Sequence, residues 1–287
     1  MRYIEFEKVV QTTEALCIAA CHELGADVLN ALAHAAGKES HPAAKKILNQ
    51  LIENARVAKQ EKIPLCQDTG LAVVFVEQGT AVTVKPPDNH AGATLDDAIN
   101  AGVKAGYENG YLRKSVVAEP LNKRRNTSTN TPAVIHHFSV TGDKLKITVM
   151  AKGGGSENKS AFKMFRPTAG PDEIIDWVVD VVKSAGADAC PPFVVGVGLG
   201  GDFELCCLLS KKALLRRLAS RNTDPFYAQL ELDLLSRINA LGLGPQGLGG
   251  DTTALDCLVE TAPCHIASLP VAVNIECHSH RHKSATL

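Results

Sequence analysis

From Phe6 to Leu24 the positions Phe6, Val10, Thr13, Cys17, Ala20 and Leu24 step by threes and fours, the spacing of one helix face. From Gly70 the segment "GLAVVFVEQGTAVTV" switches to β-branched and aromatic residues with turn signals between, which reads as a strand pair. A chain carrying both periods is confined to a mixed architecture, and the alternation continues to the end. Helical character interrupted near Gly25 and Gly37 runs to about Lys59. "ATLDDAINAGVKAGYENG" returns to helix and stops at Gly110, a residue suited to a left-handed helix end. "AVIHHFSV" and "KLKITVMAKGGG" read as a hairpin turning at Thr141, Gly142 and Asp143. Pro171 opens a helix whose buried stripe is Ile175, Val178 and Val182, and Gly186 closes it. "CPPFVVGVGLGG" follows as an apolar strand, then a helix near Phe226 to Ala240, a glycine-rich loop "LGLGPQGLGGDTT" and strands ending at Cys277. The expected fold class is α+β, with helices packed around more than one small sheet. One region spans 1–287, with room for two lobes and an N-terminal helical part over about 1–60.

At 287 residues the chain can bury a sizeable core. Thirty Lys and Arg against 31 Asp and Glu leave no broad positive field, so neither nucleic acid nor an anionic membrane surface is an expected partner. The start "MRYIEFEKVV" lacks the pattern of a secretory leader, and "FVVGVGLGG" and "IASLPVAVNI" fall well short of the ~20 residues of a spanning helix. A cytoplasmic location is expected, where the nine cysteines would be reduced. An odd count with no CxxC pair is a poor disulfide framework, so some thiols are candidate ligands.

Cys66, Cys190 and Cys277 each lie at a loop–strand boundary, far apart along the chain. Local zinc and ferredoxin motifs use short spacings, so ligands this distant need a prefolded scaffold to meet. Cys17 and Cys21, one helical turn apart, fit small buried hydrophobes, as do Cys206, Cys207 and Cys257 among leucines. Cys264 precedes His265 and stays open. Spacing alone leaves the ligand and core readings of each cysteine standing side by side.

Four ordered motifs narrow the choice. "CQDTG", "KGGGSENK", "ACPPF" and "PCHIASLPVAVNIEC" resemble the alpha region of class I, iron–sulfur-dependent fumarate hydratases and their tartrate dehydratase relatives, from about residue 45 to the end. The resemblance implies a [4Fe–4S] cluster held by Cys66, Cys190 and Cys277, whose remaining iron has no side-chain ligand and serves as a Lewis acid. It implies an oxygen-labile activity. It also implies proton transfer by Asp68, although a turn-capping aspartate before Gly70 has the same local sequence. Gln67 corresponds to a substrate-contacting amide, Arg113 to a carboxylate clamp, Gly154 to a loop amide on the substrate, and His265 to a carboxylate or hydroxyl partner. Without the resemblance, Arg113 reads as a surface charge and His265 as a satisfied core group. Thr69 shapes the turn; Asn126 and Thr127 in "RRNTSTNTPA" support the site or cap a loop. Gly153 to Gly155 lack the GK[ST] ending of a nucleotide cradle.

The resemblance further implies the alpha subunit of a two-component enzyme, with a beta subunit as partner, a dicarboxylate substrate and a higher oligomer. The implied reaction is reversible hydration of fumarate to L-malate, with little turnover by the alpha chain alone. L-tartrate dehydration uses the same parts. Two non-enzymatic readings remain: an iron–sulfur sensor, and a zinc protein using His278, His280 and His282 with Cys277 or Cys264. The alternative for "CHSHRH" is a solvated polar tail.

Overall fold

The helix-spaced and strand-spaced segments form the elements their periods predict, but strand pairing follows burial rather than sequence neighbourhood. The structure, a computed structural model, describes residues 1–88 and 90–287. In chain order these form β1 (Arg2–Glu5), α1 (Phe6–His22), α2 (Ala26–Lys38), α3 (Pro42–Glu61), β2 (Leu71–Gly79), β3 (Val82–Lys85), α4 (Leu95–Asn109), β4 (Val134–Val140) and β5 (Leu145–Lys152). They continue as α5 (Gly154–Glu157), β6 (Ala161–Phe165), α6 (Pro171–Ala185), β7 (Phe193–Gly200), α7 (Phe203–Ala213), α8 (Pro225–Asn239), β8 (Ala254–Ala262), β9 (Leu269–Glu276) and β10 (His282–Thr286). The fold is α+β. Residues 6–38, read as one stretch, are long and apolar enough to cross a membrane, but extended backbone at Glu23 and Gly25 divides them into α1 and α2. Contacts divide the chain into two units, one made of 1–24, 55–154 and 281–287 and the other of 25–54 and 155–280.

In the first unit, α1 buries Val9, Thr13, Leu16, Cys17, Ala20 and Cys21, a stripe that includes Val9 and Leu16 where the spacing pointed to Val10. α4 starts on a capping box in which Thr94 Oγ1 accepts the Asp97 N–H at 3.2 Å and the Asp97 carboxylate accepts the Thr94 N–H at 2.8 Å. Gly110, expected to be left-handed, has φ −85°, and the next residue, Tyr111, takes φ 52°. A Cβ at Gly110 would stand 2.7 Å from the Gly106 carbonyl oxygen, so crowding accounts for the glycine.

Neither expected two-strand pairing forms. The sheet order is β10-β5-β2-β4, so β2 lies between β4 and β5, parallel to the first and antiparallel to the second. The turn over Thr141–Asp143 reverses the chain, yet the nearly continuous apolar run of β2 claims the centre and the more polar β4 is left at the edge. With both edges of β2 filled, β3 pairs with β1 instead. The C-terminal residues are no solvated tail either. Ser279, His280 and Arg281 are buried, and His282–Thr286 adds an edge strand antiparallel to β5.

In the second unit the sheet order is β6-β9-β7-β8. α6 begins at Pro171, buries Ile174, Ile175, Val178 and Val182, and ends on Gly186 at φ 55°, as its sequence signals predict. β7 is buried along its whole length. Its odd positions Phe193, Val195, Val197 and Leu199 enter the core shared with α6 and α8, each fully buried side chain stabilising by about 1.5–3 kcal/mol. Its even positions include Gly196 and Gly198, against which α7 packs. A Cβ on Gly198 would lie 2.1 Å from the Cys206 carbonyl oxygen and 2.7 Å from the Ser210 nitrogen. Because both are backbone atoms, Gly198→Ala is expected to cost at least about 1–3 kcal/mol, read as a lowered urea midpoint at unchanged slope. A variant as stable as the parent would show that α7 can retreat freely.

Candidate active site

The first unit builds one wall from segments distant in sequence. Leu65 is buried and its N–H donates to the Cys21 carbonyl at 2.9 Å, anchoring the loop between α3 and β2. Cys66 follows, half-buried, its Sγ donating to Gln67 Oε1 at 3.3 Å, while the Gln67 side chain is exposed. Asp68 uses both carboxylate oxygens: Oδ1 accepts the Gly70 N–H at 3.0 Å and Oδ2 accepts the Gly154 N–H at 2.8 Å. The turn-capping role and the reach toward the glycine loop therefore coexist in one side chain. Gly70 has φ 74°, and a Cβ there would lie 2.6 Å from the Lys152 carbonyl oxygen, so only glycine fits.

Side chains from three other segments hold the backbone behind this turn. Thr69, 1% exposed, donates its hydroxyl to the Arg113 carbonyl at 3.0 Å, and the Tyr107 hydroxyl lies 2.8 Å from the Thr69 carbonyl oxygen. Asn130 is fully buried. Its Oδ1 accepts the N–H groups of Ser115 at 2.7 Å and Val116 at 3.2 Å, and its Nδ2 donates to the Gly70 carbonyl at 3.2 Å. Arg113 is thus held through its backbone while its exposed guanidinium makes no hydrogen bond or ion pair among the described residues. Asn126 donates to the Lys114 carbonyl and accepts the Ser128 N–H, both at 2.7 Å, and Thr127 Oγ1 accepts the Thr129 N–H at 3.5 Å. Those two residues cap their loop.

In the second unit, Cys190 follows the turn Gly186–Ala189 at φ 57° and ψ 67° and precedes β7, while Cys277 directly follows β9. β7 and β9 are antiparallel with Val194 opposite Glu276, so the two cysteines share one end of the sheet. The His278 N–H donates to the Cys190 carbonyl at 3.2 Å and ties them together. His265 does not join them. β8 runs parallel to β7 with Gly200 opposite Ala262, which puts the β8–β9 loop at the other end of an eight-residue strand, ~25 Å away. His265 is exposed there rather than in the core, and its Nδ1 accepts the Ala267 N–H at 3.1 Å. Cys264 shares that loop, its Sγ donating to the Ser268 carbonyl at 3.3 Å.

Burial sorts the thiols by chemistry. Desolvation pushes Cys21 up to about 11 and Cys206 up to about 12, and raises Cys17 and Cys257 as well, so these four stay protonated. Cys66 and Cys277 are half-buried and Cys190 is exposed, so all three sulfurs are accessible to a metal. This donor set fits an iron–sulfur group, which takes thiolates. The zinc arrangement fares worse. His278 and His280 sit in a turn rather than alternating along a strand, and their Nδ1 atoms lie 3.2 Å from the Cys190 carbonyl oxygen and 2.6 Å from the Glu276 carboxylate.

Glu39, His41 and Asp251 bring oxygen and nitrogen atoms within 4.8 Å of one another, but the Glu39 carboxylate accepts N–H groups of His41, Asp251 and Thr252 and so shapes the 250–252 turn. A cavity of about 720 Å³ in the same unit, lined by Asp27, His34, Lys38, Arg217 and Arg221 among others, contains none of the sequence-predicted site residues.

The family model described as "Fumarate hydratase (Fumerase)" matches residues 10–286. The chain belongs to the fumarate hydratase (Fumerase) family. A Methanocaldococcus jannaschii protein provisionally named L(+)-tartrate dehydratase subunit alpha is 42% identical over 259 residues, 89% of each chain. The L(+)-tartrate dehydratase subunit alpha of Escherichia coli strain UTI89 is 32% identical over 257 residues, covering 89% of this chain and 82% of its own, and that of Shigella boydii is 31% identical over the same lengths.

In this fumarate hydratase family member, sequence reasoning missed Asn130 and Arg281, whose Nη1 donates to the Asp68 carbonyl at 2.6 Å. Asn130 closes "NTSTN" and was readable only as a polar loop residue; Arg281 lay in the supposed tail. Asn130→Ala would leave the Ser115 and Val116 N–H groups without their acceptor, while the Gly70 carbonyl keeps the Tyr107 hydroxyl at 3.1 Å, costing about 1–3 kcal/mol and speeding amide exchange at Ser115 and Val116. Wild-type exchange at both would refute that role. The raised thiols set a pH dependence as well. Unfolded, they ionise near 9; folded, Cys21 and Cys206 hold their protons to about 11 and 12. The native state therefore binds protons more tightly, its stability is complete below pH 9, and it declines as pH climbs through that window. Urea midpoints at pH 8 and 10.5 measure this, and Cys206→Ala should flatten the decline.

Proposed function

We propose that this chain is the alpha subunit of an iron–sulfur hydro-lyase that adds and removes water across a four-carbon dicarboxylate, with fumarate and L-malate as the pair. The observation that carries the reading is the 2.8 Å hydrogen bond from the Gly154 N–H to Asp68 Oδ2, which joins the "CQDTG" turn to the "KGGGSENK" loop. A carboxylate two residues past a candidate ligand is thus bonded to the backbone of the glycine loop. Cys66, Cys190 and Cys277 would hold the [4Fe–4S] group, which when bound supplies a Lewis acid that makes hydroxide a better leaving group. Asp68 transfers the proton to or from the departing hydroxyl, with its carboxylate aimed by the Gly70 and Gly154 amides. The exposed Arg113 guanidinium and Gln67 amide bind substrate carboxylate oxygens, the arginine through two parallel bonds. His265 is left out of this set because its loop lies at the far end of the sheet from Cys190 and Cys277.

The partner is a beta subunit, a reading supported by relatives that are named alpha subunits. The same names favour L(+)-tartrate as the second substrate reading. Anaerobic reconstitution of the chain with its co-expressed partner is expected to yield about four irons and four sulfides per alpha chain and turnover of fumarate that is lost on exposure to air. Asp68→Asn should lower kcat by at least ~100-fold at unchanged iron content. Preferential turnover of L(+)-tartrate would move the assignment to the second reading; a metal-free, inactive heteromer under strict anoxia would end both.

A further inference from the structure

We infer that Arg281 is the positioning residue of this site, holding the Asp68 turn so that the Asp68 carboxylate stays on the glycine-loop amide. Its kinetic consequence rests on the hydro-lyase reading above; the lock itself does not. Arg281 is 2% exposed and immediately precedes β10. Its carbonyl accepts the Ala151 N–H at 3.0 Å, which extends the β10–β5 ladder to the point where the chain enters Gly153–Gly155. Its guanidinium donates from Nη1 to the Asp68 carbonyl at 2.6 Å. The Asp68 carboxylate in turn takes the Gly154 N–H at 2.8 Å.

These bonds close a ring. The main chain of residue 281 fixes the end of β5, β5 delivers Gly154, Gly154 holds the Asp68 side chain, and the Arg281 side chain holds the Asp68 main chain. Asp68 is therefore gripped at both ends, which fixes the direction of its carboxylate as well as its position. A charge-assisted bond of this length is about twice as strong as a neutral one. A lysine could supply the charge but not the rigid fork that sets the donor direction. Burying a guanidinium is costly, so a segment that only finished an edge strand would not be expected to do it. The positive charge is also felt at Cys21, where it opposes the effect of burial on the thiol, and the Cys21 carbonyl carries the Leu65 N–H directly before Cys66.

The test uses Arg281→Gln and Arg281→Lys in the full chain and in the reconstituted heteromer. In the chain alone, amide exchange at Gly154 and Gly70 is expected to quicken at least ~tenfold in the Gln variant and less in the Lys variant, while Val178 and Val195 in the second unit keep wild-type rates. In the heteromer, iron content should match wild type, kcat should fall by about 10–100-fold with KM within about threefold, and lysine should restore part of the loss. Unchanged exchange at Gly154 overturns the lock whatever the kinetics show, and quickened exchange with wild-type kcat overturns the positioning role. A wild-type heteromer that turns over neither fumarate nor tartrate refutes the hydro-lyase reading, and the exchange comparison still decides the lock. If the Gln variant does not fold, the Lys variant carries the same comparison.

Discussion

One carboxylate organises the first unit. Asp68 closes a tight turn onto the Gly70 amide with one oxygen and reaches the Gly154 amide with the other, so a local bond and a bond spanning 86 residues meet in one group. A surface turn cap would leave its second oxygen to water. Here the second oxygen fixes the glycine loop, and the loop fixes the direction in which the carboxylate points. The left-handed backbone at Gly70 persists because Tyr107, Asn130 and Thr69 satisfy the polar groups around it. The local cap and the long-range bond are two uses of the same carboxylate.

The second unit reaches its arrangement through strand polarity. β9 runs antiparallel to β7 and β8 parallel to it, so whatever precedes β7 meets whatever follows β9, and the β8–β9 loop must emerge at the opposite end. Cys190 and Cys277 are neighbours for that reason, and His265 is excluded for the same reason. Glycines at alternate positions of β7 let α7 lie against the strand, which buries both of its faces and makes its register costly to shift.

What could be read from the sequence divides along the line between local and tertiary physics. Helix α6 carries its own start, stripe and stop in Pro171, the Ile and Val positions and Gly186, and each behaves as its chemistry dictates. The loop–strand position of every candidate cysteine was equally visible. Pairing was not. The turn at Thr141–Asp143 looks the same whether its flanking strands touch or another strand lies between them, and only the competition among strands for the buried centre decides. Arg281 and Asn130 were illegible for a related reason: each stands in a polar string, and nothing local reveals that its side chain is turned inward. His265 shows the converse, a motif residue whose neighbours are set by strand direction, which no motif encodes.

The cysteines show how a site can be selected from identical side chains. Nine thiols share one intrinsic chemistry, yet desolvation keeps Cys17, Cys21, Cys206 and Cys257 protonated, and it raises Cys207 in the same direction although that side chain is half-buried rather than in the core. Cys264 passes that first filter, being exposed, and fails a second, because its loop leaves the sheet at the end opposite Cys190 and Cys277. The first filter depends on dielectric and the second on topology, so they act independently. No local spacing rule is needed for this sorting: burial separates the protonated thiols from the accessible ones, and in the second unit strand order brings Cys190 and Cys277 together while it holds Cys264 apart.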